Sequence, residues 1–151
     1  MVGAAALAVA GGAAGFQQPK HPATIMLSPA TAGAAHVGLT LRMPTVLRCG
    51  RPTGGAIVLT LPHAAGVPRT IGTAAVTLNG KSPAAVTVAG RSVTVSMPVV
   101  HGAICDSLVD GALKLVIEPA AGLQNPTRAG SYSVAVQQGH LTYQIPVAVR
   151  T

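Results

Sequence analysis

Acidic residues are nearly absent from this chain of 151 residues, which contains only Asp106, Asp110 and Glu118. General acid–base catalysis by carboxylates needs two acids that converge on one substrate, and a calcium site needs several oxygen ligands. Asp106 and Asp110 lie together in the segment CDSLVDG, where a polar loop accounts for both of them. We therefore expect neither carboxylate catalysis nor a calcium site.

Other patterns of catalysis and metal binding are missing as well. The five histidines never occur at the short spacings typical of zinc ligands, so a zinc site would need ligands from distant parts of the chain. No Gly-x-Ser-x-Gly nucleophile motif and no Cys-x-x-Cys redox motif occurs. The sequence predicts a protein that is not an enzyme, with no catalytic residue, no metal site and no cofactor.

Aromatic and charged side chains are also scarce. The chain has no Trp, one Phe and two Tyr, and charged residues make up 9% of it. Its net charge of +7 comes from ten Lys and Arg that are scattered singly, whereas nucleic-acid binders cluster such residues and single-strand binders add stacking aromatics. We expect no specific binding of nucleic acid. The sequence does not indicate a role for the positive charge.

The amino-terminal segment is apolar from Val2 to Phe16, in MVGAAALAVAGGAAGF. This run is shorter than the roughly 20 residues that cross a bilayer, so we expect no stable membrane span. It is similar to the hydrophobic region of a secretory signal, with Ala8-Val9-Ala10 as a cleavage site, although no Lys or Arg precedes Lys20. The segment is either removed on export or kept as an assembly strand. Both readings indicate a secreted or cell-surface protein, with residues 1–22 as leader and linker and residues 23–151 as the folded domain.

From residue 23 onward, apolar side chains recur at every second position, which is the period of a half-buried strand. In RSVTVSM, for example, Val93, Val95 and Met97 alternate with Ser and Thr. About nine such strands follow one another with Gly- and Pro-containing turns between them, and Pro146 within the last one predicts a bulge or a sheet edge. Strands with one apolar face are buried by packing two sheets together, so the sequence predicts an all-β, antiparallel β-sandwich.

The order of several short motifs resembles a known family. SPATAG, GGAIVLTLP, VTLNG, VTVAGRSVTVSMP and GLQNPTRAGSYSVAV follow one another between about residues 25 and 150. This order is similar to that of an immunoglobulin-like β-sandwich module recurrent in bacterial and archaeal secreted and cell-surface proteins. The resemblance implies a structural or adhesive role and brings no catalytic residues. The cysteine pair of this chain is not part of that pattern.

A loop rich in turn-forming residues lies near the carboxyl end. It and the start of the strand that follows it contain Gly122, Asn125, Pro126, Gly130 and Tyr132. We expect it to cross from one sheet to the other, with a positive φ at or near Gly122 and with Pro126 fixing the turn. Gly130 then opens a strand in which the ring of Tyr132 faces inward, and its hydroxyl can bond a nearby backbone carbonyl. We interpret the loop as structural, and a ligand-binding loop is the alternative.

These observations favour a non-catalytic extracellular structural protein. It would be a subunit of a cell-surface or extracellular filament or matrix that assembles through its amino-terminal segment as a donor strand. Its partners would be copies of itself or components of the cell envelope. The alternative is a monomeric secreted module for adhesion, or for binding carbohydrate or cell wall. Sugar binding commonly uses exposed aromatic platforms, and both Tyr132 and Tyr143 are predicted to face inward.

Two cysteines, Cys49 and Cys105, each precede a predicted strand. In an exported chain such a pair predicts one disulfide, and two buried free thiols are the alternative. A bond between residues 56 positions apart would stabilise the fold by about 4 kcal/mol according to the chain-entropy estimate.

We expect mass spectrometry of the unreduced, exported protein to show Cys49 linked to Cys105. Reduction should lower the midpoint of thermal unfolding, because the unfolded chain regains the entropy that the cross-link removed. Two thiols that react with an alkylating agent in the folded protein would contradict the prediction.

Overall fold

The computed structural model describes residues 23–44, 55–97 and 112–151. These residues form nine β-strands, which confirms the predicted number, together with two single-turn 3-10 helices at Thr73–Ala75 and Pro119–Ala121. The strands are β1 (Thr24–Ser28), β2 (Gly38–Pro44), β3 (Ala56–Thr60), β4 (Val76–Leu78), β5 (Ala85–Ala89), β6 (Ser92–Ser96), β7 (Ala112–Ile117), β8 (Gly130–Gln138) and β9 (Leu141–Val149).

The strands form two antiparallel sheets that pack as a β-sandwich. One sheet has four strands in the order β1-β2-β7-β4, and the other has five in the order β5-β6-β3-β8-β9. The predicted all-β sandwich is therefore confirmed. Within the described ranges there is no helix long and apolar enough to cross a bilayer.

The alternation seen in the sequence places one side of every strand in the core. Leu41 on β2 and Leu115 on β7 come from the four-stranded sheet, Ile57 and Leu59 on β3 come from the five-stranded sheet, and all four are completely buried. Their neighbours along each strand point outward, because successive side chains of a strand face opposite sides. The apolar positions of the two sheets thus form one continuous core.

A turn and a strand proline show how local sequence sets the path of the chain. Asn79 and Gly80 both have positive φ, at 49° and 77°, which is the backbone of a two-residue turn, and Leu78 pairs with Lys81 across it. After this turn the chain leaves β4 in the four-stranded sheet and enters β5 in the other sheet. Pro146, which predicted a bulge or an edge, lies on β9, the edge strand of the five-stranded sheet.

One side of the sandwich is closed by backbone hydrogen bonds between the residues that follow the two edge strands β1 and β9. The segment after β1 meets the end of β9, where the Ala32 amide donates to the Arg150 carbonyl at 2.7 Å and the Arg150 amide donates to the Ala30 carbonyl at 2.8 Å. The other side is bounded by β4, which has three residues, and by β5, which has five. The two sides of the fold are therefore built differently.

Candidate functional site

The loop between β7 and β8 ties one end of the sandwich together through Asn125. This residue is 5% exposed and is the one buried polar residue among those the structure describes. Its side-chain Nδ2 donates to the carbonyls of Pro29 and Thr31, both at 2.9 Å. We call this pair of hydrogen bonds the Asn125 contact. It holds the segment after β1 against the loop that passes from one sheet to the other.

Backbone hydrogen bonds surround the Asn125 contact. The Val37 amide donates to the carbonyl of Leu123 at 2.9 Å, and the Gly33 amide donates to the carbonyl of Pro126 at 2.8 Å. The Asn125 amide in turn donates to the carbonyl of Ala34 at 2.9 Å. Residues 33–37 and 123–126 therefore form a small irregular ladder, which satisfies backbone groups that a buried loop would otherwise leave unpaired.

A third segment joins the ladder through a glycine. Gly66 and Gln124 exchange both backbone hydrogen bonds, at 3.0 and 2.9 Å. A Cβ atom on Gly66 would lie 2.8 Å from the Cβ of Gln124, which is closer than real Cβ contacts. The close approach of these two backbones therefore requires glycine at position 66.

The other four residues that the sequence singled out in this loop lie close to Asn125 along the chain. Gly122 has φ 83°, in the left-handed region, and its amide donates to the Pro119 carbonyl as the short helix ends. Pro126 is buried next to Asn125. Gly130 is the first residue of β8, and two residues later the half-buried Tyr132 donates its hydroxyl to the Arg128 carbonyl at 2.8 Å. All five residues therefore belong to one structural unit, while Cys49 and Cys105 lie outside the described residues.

A cavity lies beside this loop, between the two sheets. Its volume is about 30 Å³, which has room for no more than a few water molecules. Most of the side chains that line it are apolar, such as Leu39, Val134 and Val147. Asn125 also lines it, but both hydrogens of its amide are taken by Pro29 and Thr31. The cavity therefore offers few polar groups with which to orient a polar ligand.

The outer face of the five-stranded sheet has an unusual composition. None of the residues in β3, β5, β6, β8 and β9 is charged. The outward residues are mainly Ala, Ser, Thr and Gln, and they are aligned in rows across the sheet. The middle row consists of Thr87, Thr94, Val58, Gln137 and Thr142. We call this surface the neutral face.

Two hydrogen bonds connect side chains on neighbouring strands of the neutral face. The hydroxyls of Thr60 and Ser92 lie 3.1 Å apart across β3 and β6. Ser133 donates its hydroxyl to Oε1 of Gln144, across β8 and β9, at 2.8 Å. Tyr132 and Tyr143, on the same two strands, are half-buried and pack against the core. The aromatic rings of these strands therefore do not form a platform on the neutral face.

The outer face of the four-stranded sheet is different, because it carries charge. Arg42 on β2 and Lys114 on β7 are both exposed and lie directly opposite each other. Like charges in this arrangement are unfavourable, so a bound anion would relieve them. Met26 on β1, which is 68% exposed, lies on the same face. We call this surface the basic face.

Metal-binding side chains do not come together in the described ranges. No group of three or more His, Cys, Asp or Glu within residues 23–44, 55–97 and 112–151 could hold a metal ion. Asp106, Asp110 and His101 lie outside these ranges.

Comparisons with known proteins identify the fold. No protein-family model matches the chain, and no curated protein sequence matches it. Among solved structures, the amino-terminal domain of a Streptococcus gordonii adhesin aligns with a TM-score of 0.54 at 11% identity, covering 88% of this chain and 33% of that one. The bacterial hydrophobin BslA aligns with a TM-score of 0.47 at 24% identity, covering 84% of this chain and 93% of that one. This chain thus shares a fold with the adhesin domain and spans about a third of the adhesin chain's length.

Two features of these surfaces were missed by reasoning from the sequence. The partners of Asn125 lie 94 and 96 positions earlier in the chain, and no local pattern indicates them. The residues of the neutral face occur in the sequence at alternate positions of several strands, mainly as Ala, Ser and Thr. They can be recognised as one surface only when it is known which strands belong to the same sheet. The available signal was the lack of any charged residue in the segments that form β3, β5, β6, β8 and β9.

We expect Asn125→Ala to lower the free energy of unfolding by about 2 kcal/mol, because the part-buried carbonyls of Pro29 and Thr31 lose their donor. Asn125→Asp, which keeps the size but removes both N–H donors, should cost at least as much. Chemical denaturation measures both effects. Thr127→Ala, at an exposed position two residues further on, is the control and should change stability by less than about 0.5 kcal/mol. If both Asn125 variants unfolded with the same free energy as the unaltered chain and Thr127→Ala, the Asn125 contact would not be stabilising the fold.

Proposed function

We propose that this chain is a non-catalytic structural or adhesive module of an extracellular protein. One observation carries the proposal. In the loop between β7 and β8, Asn125 donates both hydrogens of its side-chain amide to backbone carbonyls of the same domain. A binding or catalytic loop normally presents polar groups to a partner, whereas the one buried amide of this loop, that of Asn125, is directed at the backbone. The fold shared with a bacterial adhesin domain supports a surface location. The immunoglobulin-like assignment is part of the same proposal and has the same support.

We further propose that the module assembles into filaments through its amino-terminal segment. The support comes from the side of the sandwich bounded by β5, whose only partner among the described strands is β6. Val86 and Val88 on β5 are half-buried, whereas the residues opposite them on β6, Val95 and Val93, are completely buried. An added strand would bond the edge of β5 that has no partner among the described strands, and it would cover these two valines.

The sequence of residues 2–15, VGAAALAVAGGAAG, suits such an added strand because its side chains are small and apolar. A strand given by one copy to the next makes a head-to-tail contact, which continues as a filament instead of closing as a dimer. A neighbouring copy is therefore the partner that this arrangement favours.

The second candidate is a monomeric secreted module for adhesion. The fold of the streptococcal adhesin domain favours it. Binding of carbohydrate through stacked rings is less favoured, because Tyr132 and Tyr143 pack against the core. The opposed cations Arg42 and Lys114 suit an anionic polymer of the cell envelope better than a neutral sugar.

Electron microscopy of the purified full-length chain and of a chain without residues 1–22 tests the filament proposal. We expect filaments from the full-length chain and single particles from the shortened chain, because the donor strand has been removed. A chain in which residues 1–22 are replaced by a Gly/Ser segment of equal length is the control for length, and it should also give single particles. Unchanged filaments from both altered chains would exclude the amino-terminal strand, and single particles from all three would favour the monomeric alternative.

A further inference from the structure

The neutral face differs from the rest of the described surface in its charge. The chain has a net charge of +7, so two copies repel each other at most orientations. Exposed cations occur on the basic face and in the loops, including Arg69, Lys81 and Arg128. The five strands of the neutral face contain none. Two copies can therefore approach through the strands of this face without bringing cations together at its centre, and the exposed Arg91 and Arg150 adjoin it only at the ends of β6 and β9.

From this arrangement we infer that the neutral face is the contact surface for a second copy of the chain. Two five-stranded sheets would pack face to face about a twofold axis, so that each copy contributes the same surface. Packed sheets lie about 10 Å apart, and the small Ala, Ser and Thr side chains permit that spacing. This contact goes beyond the proposed strand exchange, because it uses the face of a sheet and not its edge.

Other occupants fit the neutral face less well. An anionic polymer would find no cation on its strands, and it has Arg42 and Lys114 on the opposite face. A sugar polymer would find no aromatic ring, because Tyr132 and Tyr143 face the core. A second copy brings a surface of the same uncharged kind, with hydroxyls and amides that can bond each other across the contact.

The dimensions of the face set the expected strength of the contact. Five strands at a spacing of about 4.8 Å span roughly 24 Å, and strands of five to nine residues are about 17 to 30 Å long, so the footprint is on the order of 500 Å² per copy. Stable complexes commonly bury about 800 Å² per partner. The dimer should therefore be weak and should form as the concentration rises.

Sedimentation velocity over a range from micromolar to millimolar tests the inference, after any filaments have been pelleted. We expect the full-length chain to pass from monomer to dimer. Thr94→Lys places two cations near the centre of the contact and should raise the dissociation constant by about tenfold or more. Gln137→Lys is a second variant at an exposed position of the same row, in case Thr94→Lys does not fold.

Thr40→Lys is the matched control, because Thr40 is a half-buried threonine that faces outward on a central strand of the other sheet. It adds the same charge and should weaken the dimer much less than Thr94→Lys does. Thermal unfolding confirms that each variant is folded. A chain that stays monomeric at all concentrations would overturn the inference. So would a dimer that survives both neutral-face variants, or one that Thr40→Lys weakens equally.

Discussion

The hydrogen bonds of Asn125 are the interaction on which this sandwich depends at its most irregular end. Hydrogen bonds between neighbouring strands hold each sheet together, but a loop that passes between sheets has no regular strand partner and must satisfy its buried backbone groups in other ways. Here one side-chain amide supplies two donors to Pro29 and Thr31, and the adjoining backbone groups pair with residues 33–37 and with Gly66. Because both donors of the Asn125 amide are directed inward, this side chain is used by the fold and not offered to a ligand.

The outer faces of the two sheets differ in charge. The basic face carries Arg42 opposite Lys114, and the neutral face carries only uncharged side chains on all five of its strands. A low content of charged residues, which is costly for solubility in a monomer, becomes understandable if one face packs against another copy. The edge of β5, with its half-buried valines, offers a second and separate kind of contact.

Periodicity in the sequence predicted the strands well, because burial of alternate residues is a local pattern. From residues close in the chain it indicated a bulge or an edge at Pro146, a positive φ at or near Gly122 and an inward ring for Tyr132. It did not predict that the chain changes sheets after Asn79-Gly80, since such a turn most often joins two strands of one sheet. The partners of Asn125 were also beyond reach, because contacts between residues more than 90 positions apart depend on the complete topology.

Native-state hydrogen exchange tests most directly whether the loop is structural. The amides of Gly33, Val37 and Asn125 all donate to backbone carbonyls beside the Asn125 contact. If the contact holds the fold, these amides should exchange only through global unfolding, with the same opening free energy as core amides such as that of Leu59. Opening of this group several kcal/mol below the global value would contradict the account, because the Asn125 contact could then break while the rest of the sandwich stayed folded.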